Sequence, residues 1–195
     1  MFDDVELKIK KKNKILFSRN SSCLQELLNL IRKQKHKTLV LWAFCCVEEL
    51  IKIFNEKYPD DFRLAIAYET CKKWASGEIK MKEAKLRIIE CHSIAKEIDD
   101  RYYIAICHAI GQGLSTIHVE THAIGLPIYE LTAIVLNNKA DYKEKVEEKI
   151  KWYIERLKYY EDNVDNINIK WADFLKKDVQ NKEMKLYNSQ KNTAK

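Results

Sequence analysis

Along most of the chain, apolar residues recur every three or four positions, the spacing that collects them on one face of an α-helix. Leu24, Leu27, Leu28 and Ile31 keep this spacing behind a capping-box pattern of Ser22 and Gln25, which predicts a first helix to about Lys35. Thr38 is the expected cap of a second helix. Its run from Leu39 to Val47 is apolar on every side and so reads as buried, and Pro59 ends the helix after Tyr58. Asp60 or Asp61 then caps a third helix through Leu64, Ala67, Cys71 and Trp74, with Gly77 where a C′ glycine belongs. A fourth runs from about Met81 to Ile98 with Ala84, Ile88, Cys91 and Ala95 in register, and Asp99 or Asp100 caps a fifth.

Residues 102–119 contain no Asp, Glu, Lys or Arg, a length that invites comparison with a membrane span. His108, Gln112, Ser115, Thr116 and His118 would be costly in lipid, so a central helix enclosed by the others is the expectation. Gly125 and Pro127 predict a bend over Val119–Pro127, followed by a sixth helix to about Leu136. Asn137 and Asn138 are a stop, and Asp141 to Tyr160 reads as a seventh helix dense in Lys/Glu pairs. Beyond Asn163 the chain is polar. Ile167, Ile169, Trp171, Phe174 and Leu175 predict a short docking helix ahead of a loose tail. At the start, Val5 to Lys10 alternates apolar and charged residues and Ile15-Leu16-Phe17 follows a Lys/Asn turn, the pattern of a small β-hairpin leaning on the helices.

The expected fold is therefore all-α, a bundle of six to eight helices with a small N-terminal β-hairpin. It would form one domain over residues 1–195, with a basic N-terminal extension (1–20), a helical core (21–160) and a polar C-terminal extension (161–195). Four Gly and two Pro leave little turn chemistry for a many-stranded sheet. The net charge of +6 is uneven: +6 over residues 1–40, −3 over 41–138 and +3 over 139–195. Cys23, Cys45, Cys46, Cys71, Cys91 and Cys107 show no CxxC pair and no zinc spacing. With no signal peptide in Met1-Phe2-Asp3-Asp4, they are expected to be reduced core residues of a cytoplasmic protein.

Candidate chemistry concentrates near the uncharged segment. On one unbroken helix His108, Ser115, His118 and His122 would share a sector roughly 80° wide, with Tyr129 in line if the helix continued. Such a stripe is either a hydrogen-bonded polar seam or the wall of a site. His118 and His122 have zinc-protease spacing, but HExxH needs its Glu directly after the first His, and here the acid is Glu120. Glu48 and Glu49 interrupt the most apolar helix, and a cation such as Arg63 or Arg87 should meet them. Cys91-His92 has apolar neighbours in Ile88, Ile89 and Ile94 that argue against a reactive thiol. Lys8 to Lys14 is basic but lacks interleaved aromatics for base stacking, and neither a Gly-rich phosphate loop nor a GxSxG elbow occurs.

One set of fragments carries a resemblance. Leu41-Trp42-Ala43 with Cys46 and Glu48, Tyr58-Pro59-Asp60-Asp61 with Arg63, and Trp74 with Gly77-Glu78-Ile79 come first in order. His108-Ala109 with Gly111-Gln112, Thr116, His118-Val119 and Thr121-His122-Ala123 follow. Together, over about residues 38–137, these fragments resemble the immunity proteins of bacterial polymorphic toxin systems, of the immunity-protein-five-like kind. Cys45 and Glu120 depart from the pattern, in which an acid and a proline often stand. The resemblance implies an all-helical cytoplasmic protein, not an enzyme and without a cofactor, that blocks a cognate toxin by stoichiometric binding through an interface of roughly 1,600 Å². It implies neither membrane nor nucleic acid as partner and leaves homo-oligomerisation open. The candidate polar cluster is Glu48, Arg63, His108, Gln112, His118 and His122. If the toxin is a basic nuclease, the net −3 region is the expected surface. The alternative reading is a helical metal protein or enzyme built on His108, His118 and His122, with Gln112 as orienting group.

Overall fold

Two helices that the sequence makes apolar, α3 (His36–Lys57) and α6 (Arg101–Ser115), pack against each other at the centre of the molecule. The computed structural model describes residues 1–177 and 179–193. Around this pair, α7 (Gly125–Asn137) lies along α6, and α4 (Arg63–Ala75) and α5 (Met81–Ile94) pack on each other and on α6. The long α8 (Tyr142–Asn163) covers α3 and α7, and α2 (Gln25–Lys33) covers α8. Three further helices complete the described residues: α1 (Asp3–Lys10), α9 (Asp173–Lys176) and α10 (Lys182–Thr193). Short 3₁₀ turns occupy Ser22–Leu24 and Glu120–His122. One hydrophobic cluster runs through the bundle and includes Phe2 at one end of the chain and Leu175 near the other.

Local chemistry explains where the helices start and stop. Asp100 is the N-cap of α6 and accepts the backbone N–H of Tyr102 at 2.9 Å, while Asp61 lies one residue ahead of the N-cap Phe62 of α4 and accepts the first N–H of that helix, from Arg63, at 3.1 Å. Gly77, at φ +80°, closes α4: its N–H donates to Trp74 O and that of Glu78 to Lys73 O, the paired bonds of a Schellman motif. The chain leaves α6 after Ser115 and turns back through Glu120–His122 into α7, as the bend over Val119–Pro127 predicts.

A buried polar network ties three helices together. Trp42 on α3 donates from Nε1 to Tyr153 O on α8 at 3.1 Å, and the Tyr153 hydroxyl donates to Glu130 on α7. Lys149 closes on the other Glu130 oxygen at 2.7 Å. A carboxylate this deep is tolerated because both of its oxygens are satisfied and one partner is a cation.

Several expectations are corrected. Residues 5–10 form helix α1, and no strand occurs among the described residues. Helical spacing turns Phe2 and Val5 into the core, Asp3, Asp4 and Glu6 sit at the positive end of the helix dipole, and Lys8 and Lys10 sit at the negative end. Ten α-helices among the described residues exceed the expected six to eight. The capping box is absent: Ser22 opens a 3₁₀ turn and the Gln25 amide donates to Arg19 O and Ser21 O. Thr38 lies inside α3, which begins at His36. The C-terminal stretch docks. Buried Asn181 donates to Ile31 O and Gln34 O at the end of α2 while its own oxygen accepts the Glu183 N–H that opens α10. No helix among the described residues is long and apolar enough to cross a membrane.

Packing is close at Gly113 on α6, where an added Cβ would lie 2.5 Å from Val47 Cγ2 and 2.7 Å from Leu126 Cδ1. Gly113→Ala is expected to cost about 1–3 kcal/mol through overpacking, measured by urea denaturation. Unchanged stability would show that α3 and α7 do not close on α6 this tightly.

Candidate functional site

The polar positions of α6 are held by neighbouring helices. His92 on α5 reaches His108 on α6, Nδ1 to Nδ1 at 2.8 Å, with the Tyr129 ring on the other side of His108 at 5.1 Å between centroids. One imidazole donates in that contact and the other accepts, so the two cannot both be cations in this geometry. Burial lowers the pKa of both rings, and the charge of His92 lowers that of His108 further. The pair is accommodated by Gly111, because an added Cβ there would stand 2.6 Å from His92 Cε1.

A second contact follows one turn later. The Gln112 side-chain oxygen accepts from His122 Nδ1 at 2.9 Å, and Gly125 leaves room for that amide, since its Cβ would fall 2.4 Å from Gln112 Oε1. The His122 pKa is lowered by burial first, then by the charges of His118, Arg19 and His92. His36, at the start of α3, donates from Nε2 to Thr116 O at 2.7 Å while its Nδ1 stands 4.0 Å from Glu120. Glu120 is only 1% exposed and its Oε2 has no hydrogen-bond partner. Burial outweighs the help of Thr116 and Glu120, so the His36 pKa is also lowered. Arg19 straps the turn from outside, donating to Thr121 O at 2.6 Å and to buried Glu183 of α10 at 2.7 Å.

The expected six-residue cluster divides. Gln112 joins His122 and His108 joins His92, but His118 is exposed and stacks on Trp74. The shared stripe on one unbroken helix does not form, because α6 ends at Ser115, ahead of His118 and His122. Glu48 is exposed on α3 and meets neither arginine. Arg63 follows the end of α3, about 13 Å of helix beyond Glu48, and binds Asp61 at 2.7 Å and Glu97 at 2.8 Å. Arg87 pairs with Glu90 and Glu49 with Lys52. No group of three or more His, Cys, Asp or Glu among the described residues is arranged to hold a metal ion. Burial pushes the Cys91 thiol far up, which makes a Cys91–His92 nucleophile inert. Sequence reasoning missed His36 altogether. It sits in a run of lysines and glutamine that carries no pattern, and only tertiary packing brings it to Thr116 and Glu120.

The bundle also presents a face without cover. Phe62 and Ile66 on the α4 side and Leu86 and Ile89 on α5 are 62%, 45%, 62% and 50% exposed. Between the two helices lies a groove of about 770 Å³ lined by Leu86, Ile89, Arg63, Lys73, Arg87 and Glu97, among others.

An all-α bundle with a polar seam through its centre and an open two-helix face is the class that these features define. The family described as Imm-5 like putative immunity protein matches residues 29–160, about two thirds of the chain, and the chain belongs to that family. No curated protein and no solved structure gives a significant match.

The depressed histidines fix a sign for pH dependence. A neutral imidazole in the fold that ionises near 6.5 when unfolded lets the unfolded state bind more protons below that pH, so its contribution to stability is lost as pH falls. Stability to urea is expected to drop between pH 7.5 and 5.5, and His92→Gln with His108→Gln should flatten the drop. A pH-independent midpoint in the unsubstituted protein would contradict neutral buried rings.

Proposed function

We propose that this protein neutralises a toxin by stoichiometric binding and that the α4–α5 face is the principal contact. The observation that carries this reading is the exposure of four large apolar side chains beside a groove, within the part of the chain that matches an immunity family. Monomeric proteins rarely leave such residues together without a partner. A stable partner covers about 800 Å² on each side, and large residues at the centre of such a patch supply most of the binding energy. Binding of this kind needs no turnover, which agrees with a non-enzymatic role in the cytoplasm of the toxin-producing cell.

Charge refines the expected partner. Residues 62–97 hold eight Lys/Arg against five Asp/Glu, while 41–61 and 98–138 each carry a net −3. The open face is thus a positive island within the acidic region, and Lys73, Lys82 and Lys85 form no ion pair among the described residues. A toxin surface that is apolar at its centre and acidic at its rim fits this face, and the complementary charge speeds encounter.

Mixing the protein with the toxin encoded beside its gene should protect in a fixed molar ratio, and protection by catalytic amounts would refute stoichiometric binding. Leu86→Asp with Ile89→Asp, both at exposed positions, should weaken the complex by at least about 30-fold without lowering stability. Full affinity in that variant would place the toxin on another surface.

A further inference from the structure

A second depression lies where α1 and the segment after it meet α7, α8 and the start of α6. It encloses about 540 Å³, within the range of small-ligand sites, and Ile9, Leu16, Val135 and Leu136 form its apolar lining. Lys10, Lys12, Arg101 and Lys139 stand around it, and none of these four forms an ion pair among the described residues. Its one carboxylate, Glu6, is already bound to Lys143. A neighbouring depression of about 400 Å³ shares Arg101 and Leu136 and reaches Tyr129 and His108, adding Lys14. Apolar walls beneath an excess of cations fit one kind of occupant, a molecule with an apolar body and an anionic head.

The backbone supplies an independent reason to assign this site. Helix α1 ends in a Schellman motif, with Lys12 N–H donating to Ile9 O at 2.9 Å and Asn13 N–H to Lys8 O at 3.0 Å. The residue that must adopt the left-handed conformation there is Lys12, at φ 54°. Glycine takes that position without strain, and a β-carbon is disfavoured in it. Here the position carries a long cationic side chain at the lip of the depression. Strain of this kind is kept where the surrounding structure enforces it and is concentrated at ligand sites.

We infer that the α1–α7 depression binds a small amphiphilic anion, its apolar body against Ile9, Leu16, Val135 and Leu136 and its carboxylate, sulfonate or phosphate held by Lys10, Lys12 and Arg101. The site shares no lining residue with the α4–α5 groove, so it stands or falls apart from toxin binding. Residues 1–28, which build one wall, also lie outside the segment matched to the immunity family.

Calorimetric titration of the full chain with decanoate, decanol and decyltrimethylammonium, each below its aggregation limit, tests the inference. Saturable 1:1 binding of decanoate, at least tenfold tighter than decanol and absent for the cation, is expected. Lys12→Gly should melt at the same or a higher temperature and yet bind decanoate more weakly, and adding Arg101→Gln should reduce affinity at least tenfold in total. Equal binding of all three probes, no binding of decanoate, affinity unchanged in the double variant, or binding only to anionic vesicles would each overturn it.

Discussion

Gly111, Gly113 and Gly125 bring neighbouring elements so close to α6 that a methyl group at any of the three positions would have to displace His92, Leu126 or Gln112. Helix axes are ordinarily held 8–10 Å apart by the side chains between them. Removing the side chain from one partner lets the other insert, and in this protein two of the three inserted groups are polar. The glycines therefore make the buried seam possible as well as the tight packing. His92 and Gln112 occupy space that an alanine would have filled, and they spend their hydrogen bonds on His108 and His122.

Burying polar groups is costly unless each finds a partner, and the bundle meets this condition in linked pairs. His92 with His108 joins α5 to α6, Gln112 with His122 joins α6 to the turn before α7, and Glu130 with Tyr153 and Lys149 joins α7 to α8. Each pair crosses between elements, so each fixes a helix register that apolar contact alone would leave free to slide. Glu120 is one of several buried side chains that do not meet this condition in full. One of its oxygens is unpartnered and the nearest cation source, His36, is held mostly neutral by burial.

On the proposed reading, function belongs to the outside. Most polar groups of the inner seam are taken up by contacts with one another, while the α4–α5 face and the α1–α7 depression also hold exposed apolar side chains and cations that form no ion pair among the described residues. An immunity protein needs such a division. Its interior must hold the scaffold rigid, and its surface must keep apolar and charged groups available for another molecule.

The sequence by itself determined the helices from α2 to α8, because their period, caps and stops depend on residues within one or two turns of one another. Asp61, Gly77, Asp100 and Pro59 act through bonds or steric clashes that reach only a few positions along the chain. It determined the apolar character of α3 and α6 for the same reason, and the ordered fragments from Leu41 to Ala123 carried the family. Only the tertiary structure decided what each polar residue meets. Val5 to Lys10 alternates like a strand, yet packing against the bundle selects a helix, since a two-stranded hairpin cannot bury enough surface. His108 finds His92, His36 finds Thr116, and Glu48 loses Arg63 to Asp61 and Glu97, because side-chain partners are set by how helices cross, a long-range property that no local spacing encodes.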